Sequence, residues 1–165
     1  MANSYTHFST LIPFTSEQAD YMEQVISTFD LIAAGTFDEE GEHKHLADRA
    51  KEMAAFFDLD DQDEMGSEMG VETRYSEDGY SIWSEGHANP INVAKAINLT
   101  LWIFVLDHVV ALSWANMCDR PITDSFSGGA AVISKFGFED MTSHHWAQVK
   151  RREVEAQINS SAPKV

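Results

Sequence analysis

The chain has 165 residues, with 27 Asp and Glu against 11 Lys and Arg, for a formal charge of −16. That excess repels nucleic acid and anionic membrane surfaces, and a single cysteine excludes an internal disulfide framework. An apolar content of 44% with 10 Phe, 4 Trp and 4 Tyr excludes a disordered acidic tract. It suits one domain over residues 1–158 with a flexible tail at 159–165.

Residues 5–14 alternate in part and end at Pro13-Phe14, which predicts a first strand. Thr15-Ser16-Glu17 supplies a hydroxyl cap and an early acid, and Tyr21, Met22, Val25, Ile26, Phe29 and Ile32 follow at helical spacing up to Gly35. A second helix is expected over 42–57, with Leu46, Ala50, Met53 and Phe57 on one face, followed by a charged loop over 58–66. Residues 70–76 and 80–84, joined by Glu77-Asp78-Gly79, read as a hairpin. Asn89-Pro90 opens a third helix, apolar nearly all round through Leu106 and therefore expected to be central. Two strands are expected near 110–117 and 130–135. A last helix begins near Asp140 or Thr142 and carries Trp146, Val149 and Lys150-Arg151-Arg152. Hairpins between helices predict an α+β fold: an antiparallel or mixed sheet with helices mainly on one face.

Neither His43-Lys44-His45 nor His144-His145 places two imidazoles on one helical face, and one cysteine cannot build a thiolate site, so no metal or cofactor is expected. Residues 61–72 have acids at positions 1, 3 and 12 and Gly66 at position 6, as in a calcium loop. Met65 and Glu68 break the pattern at positions 5 and 8, and an exposed acidic loop is the simpler reading. Cys118 would be a nucleophile only with His108 or His144 as base, and no triad spacing is evident. Gly128-Gly129 precedes a strand rather than a helix, so it reads as close packing of backbone against a ring, not as a phosphate loop. Trp83, Trp102, Trp114 and Trp146 read as core or core edge. Lys150-Arg151-Arg152 is too small a basic patch for nucleic acid in so acidic a chain. Residues 1–7 show no signal core, and Asn98, Asp107 and His108 interrupt the longest apolar run, so a soluble cytoplasmic protein is expected.

Residues 5–14, with Trp114-Ala115, the Met117-Cys118-Asp119-Arg120-Pro121 turn and Phe126-Ser127-Gly128-Gly129-Ala130, resemble a family of small uncharacterised proteins of bacteria, their plasmids and phages. The resemblance covers the first strand and residues 110–134 and implies an accessory or mobile-element context without an assigned activity. The turn departs from the family pattern at Met117 and Asp119 and lacks the basic residue after Pro121, and Ser127 stands where a glycine is usual.

The acidity is polarised: residues 1–86 hold 20 Asp and Glu against 4 Lys and Arg, whereas residues 87–165 hold 7 of each. The leading expectation is a non-enzymatic protein that binds a basic protein surface, as a phage- or plasmid-encoded nucleic-acid mimic inhibiting a host defence nuclease complex. Its contact residues are Asp38, Glu39, Glu40, Glu42, Asp58, Asp60, Asp61, Asp63, Glu64, Glu68 and Glu72. The alternative is a small enzyme or ligand-binding domain with a pocket by residues 111–134 using His108, Trp114, Cys118 and Arg120. A third expectation is a homodimer through the neutral half, marked by an apolar patch on the 90–106 helix.

Overall fold

A computed structural model describes residues 4–57, 69–118 and 127–161. The elements are β1 (Ser4–Ile12), α1 (Ser16–Ala33), a 3-10 turn (Lys44–Leu46), α2 (Ala47–Met53), β2 (Glu72–Ser76), β3 (Gly79–Gly86), α3 (Pro90–Ile103), β4 (Val110–Cys118), β5 (Ser127–Ser134), β6 (Gly137–Thr142) and α4 (Ser143–Ser161). The strands form one antiparallel sheet in the order β2-β3-β1-β4-β5-β6, so the fold is α+β. β1 is inserted between β3 and β4, and the chain crosses it by way of α3. No helix among the described residues is long and apolar enough to cross a membrane.

Strand alternation gives the sheet two unlike faces. Phe8, Ile12, Tyr80, Ile82, Val110, Leu112, Ala131 and Ile133 point inward to α1 and α3 and are buried. α1 starts with a reciprocal capping box: the Gln18 N–H donates to Thr15 Oγ1, and the Thr15 N–H donates to Gln18 Oε1. α3 is capped by Asn89, whose side chain accepts from the Ile91 and Asn92 N–H groups, with Pro90 at its first position. α3 packs against both the sheet and α1, which is why its apolar residues cover more than one side of the helix. The patch expected on the 90–106 helix is therefore mostly interior; the exceptions are Trp102, 54% exposed, and Val105, 68% exposed.

The second helix is shorter than the sequence predicts. Asp38 Oδ1 accepts the Gly41 N–H, and the Asp38 N–H donates to His43 Nδ1, which holds residues 38–43 in a turn. α2 then sets Phe57 against Phe29 and Phe56 against Trp102. Tyr21 donates to Glu52 Oε2 at 2.8 Å, and the Arg49 guanidinium lies over the Tyr21 ring. Burial, reinforced by Glu52, raises the Tyr21 phenol above its ordinary pKa. On the far side of α1, Glu23 Oε1 accepts from both Tyr80 and Thr73, tying that helix to the β2–β3 hairpin.

Two further features depart from expectation. β6 was not predicted, and its end covers Asp140 and Thr142, where the last helix was expected to begin. α4 runs to Ser161, past the start of the tail expected at 159.

Candidate functional site

Asp38, Glu39, Glu40 and Glu42 are exposed on the α1–α2 connection. Glu39 lies 3.7 Å from Lys51, which is also 3.8 Å from Asp48. Exposed pairs of this kind contribute little and leave the surface acidic. Asp58, Asp60, Asp61, Asp63, Glu64 and Glu68 lie outside the described residues, as does most of the calcium-like stretch 61–72. That acidic stretch is bracketed by two buried residues, Phe57 and Met69, and the Met69 N–H donates to Asp30 Oδ1 at 2.6 Å.

Glu72 does not share a surface with the 38–42 acids. It is in register with Trp83 on β3, and that register places it on the outer face of the sheet, away from the helices. Among the described residues, no three His, Cys, Asp or Glu side chains form a group suited to a metal ion.

The residues of the alternative pocket are not brought together. Trp114 is buried on the inner face of β4, whereas Cys118 ends that strand and His108 precedes it. Ten residues of extended chain span about 33 Å, too far for a base and its nucleophile. Arg120 lies outside the described residues. His144 Nε2 is 2.6 Å from Gln148 Nε2 on its own helix.

A different cleft, of about 640 Å³, does open beside Trp114, lined by Gly128, Gly129, Met141, Thr142, Ser143 and Trp146. The glycine pair shapes it. A Cβ at Gly129 would fall on Cζ2 of Trp114 and lie 2.8 Å from the Met141 carbonyl oxygen; one at Gly128 would lie 2.5 Å from the Trp114 carbonyl oxygen. The Gly128 N–H donates to Ser143 Oγ at 3.1 Å, fastening the start of α4 to β5. Gly129→Ala is therefore expected to cost about 1–3 kcal/mol through overpacking, read as a lower urea midpoint at unchanged slope. An unchanged midpoint would show that Trp114 moves aside freely.

A larger cleft of about 940 Å³ lies between α3, the end of α2 and the β5–β6 turn, lined by Phe56, Asn98, Trp102, Val105, Lys135 and Phe136. Asn98 Nδ2 donates to the Ser134 carbonyl at 2.5 Å, joining α3 to the β5–β6 hairpin. Lys135 Nζ is 2.6 Å from Asp107 Oδ1 and holds that carboxyl below its ordinary pKa. Phe136, at the tip of the turn, is 90% exposed, and Val105 adopts φ +52°, a conformation that β-branched residues rarely accept. Neither residue was a sequence-level candidate, and both become conspicuous only through where the turn and the helix end place them. Comparison of the chain with protein-family models, with curated proteins and with solved structures gives no match.

Proposed function

We propose that this chain is a non-enzymatic acidic binding protein that docks on the basic surface of a nucleic-acid-processing complex. In this reading it is a phage- or plasmid-borne inhibitor that occupies a channel otherwise filled by nucleic acid. The supporting observation is the exposed run Asp38, Glu39, Glu40 and Glu42, held in a defined turn by the Asp38 and His43 hydrogen bonds. Acids in a fixed turn present their charge without a large ordering cost on binding, and a basic channel made for phosphates rewards such charge.

The test is capture from host lysate at low salt, elution by a salt gradient, and comparison with a variant carrying Asp38→Asn, Glu39→Gln, Glu40→Gln and Glu42→Gln. Loss of four exposed ion pairs is expected to cost about 1–4 kcal/mol at low ionic strength, roughly a fivefold or greater loss of affinity, with elution at lower salt. Binding that is flat with salt and indifferent to the four substitutions overturns the proposal.

A second reading, a small-ligand domain, is supported by the cleft between Trp114 and Trp146. Ligand-dependent quenching of tryptophan fluorescence, removed by Trp146→Ala, would favour it over the first.

A further inference from the structure

We infer that two copies of this chain pair face to face through the side of the sheet that is left open among the described residues. Many outward positions of β1, β4, β5 and β6 are small or apolar and lie open, with His7, Ser9 and Ser113 the polar side chains near the centre. Leu11 is 53% exposed, Val132 55%, Met117 43% and Met141 44%, with Ala115 and Ala130 exposed among them. An antiparallel sheet with one solvated face ordinarily turns polar residues outward there. The small residues of β4 and β5 would let a second sheet approach to about 10 Å.

The size of the face fits a second copy. Four strands at about 4.8 Å spacing and about seven residues at about 3.4 Å each outline roughly 19 Å by 24 Å. With side-chain relief that is about 700 Å² per copy, close to the roughly 800 Å² each partner contributes to a standard interface.

Charge argues for the same occupant. At −16 per copy, self-association through the acidic α1–α2 side would be repulsive. The outward positions of β1, β4 and β5 carry no Asp, Glu, Lys or Arg; on this face those residues lie only toward the rim, as Glu72, Arg74, Glu85 and Glu139. A two-fold pairing sets a patch against itself. An axis along the strands places the β2 edge of one copy over the β6 edge of the other, so Arg74 meets the side that carries Glu139. Uncharged centre against uncharged centre and Arg74 against Glu139 make the face self-complementary.

Sedimentation equilibrium of the full chain at about 100 μM in high salt tests the pairing. The expected mass is twice 18.5 kDa, falling on dilution. Val132→Lys and, separately, Leu11→Lys are expected to shift the dimer constant at least tenfold toward monomer, with unchanged circular dichroism. A wild-type monomer at that concentration overturns the inference, as does a dimer that both folded variants leave intact. Salt separates this result from the proposed function: docking through the acids weakens as salt rises, whereas pairing through this face does not.

Discussion

Gly79→Ala is expected to destabilise the fold by about 2–5 kcal/mol, combining backbone strain with a clash that the chain cannot relieve. Gly79 has φ +130°, a conformation that L residues with a side chain rarely adopt. A Cβ there would fall on the Ile12 carbonyl oxygen and lie 3.2 Å from its carbon and 3.3 Å from the Pro13 Cα. All three are backbone atoms at the end of the central strand, and Ile12 is fully buried. Gly35 supplies the control. It has φ +66° with nothing within 4 Å of a would-be Cβ, so Gly35→Ala meets only the conformational cost of about 1–2 kcal/mol. Chemical denaturation of both variants checks the argument. Equal losses would mean that the contact between the β2–β3 turn and β1 is soft.

Leu99→Ala is expected to cost about 2–5 kcal/mol, a large share of the roughly 5–15 kcal/mol that holds a domain together. Leu99 is fully buried on α3, inside a helix layer closed on several sides, so a cavity there collapses poorly. In a chain of this size that loss lowers the melting temperature by roughly 10 °C. Trp102 is three positions further along the same helix, yet half of it faces solvent beside Phe56. Trp102→Ala should cost about 1–2 kcal/mol. Calorimetry of the pair distinguishes an enclosed helix from a merely amphipathic one, and the reverse ranking would refute the enclosure of α3.

Elements with explicit terminal chemistry were legible in the sequence. Thr15 with Gln18 and Asn89 with Pro90 mark α1 and α3, and each does in the structure what its side chain suggests; Glu77-Asp78-Gly79 marks the β2–β3 hairpin, whose two-residue turn is Glu77-Asp78 with Gly79 opening β3. β6 was hidden for two reasons. Its turn, Lys135-Phe136, lacks the Asn-Gly or Asp-Gly signal of a two-residue hairpin, and Glu139-Asp140 imitates the acidic first turn of a helix. The second helix was over-extended because apolar spacing from Leu46 to Phe57 says nothing of the hydrogen bonds that hold 38–43 in a turn.

For the candidate surfaces, the charge imbalance could be read directly, but its distribution could not. Glu72 falls on the other face of the molecule through the parity of one short strand, which depends on pairing with β3. The separation of His108 from Cys118 was already implicit in a strand over 110–117, since extended chain cannot fold a base back onto its own far end. Trp146 meets the Trp114 cleft only because β6 returns the chain to the start of β5, a tertiary fact with no local sign.

The central position of β1 also bears on how the chain is made. Thr6 pairs with Gly86 on one side and Asn116 on the other, so β1 is flanked by partners that are synthesised much later than it is. At about 5–20 residues per second, β1 waits several seconds on the ribosome with both edges open. Such long-range pairing folds slowly once it begins. During that wait the nascent chain already carries most of its acids, and their mutual repulsion, with that between neighbouring chains, works against premature association of the open strand.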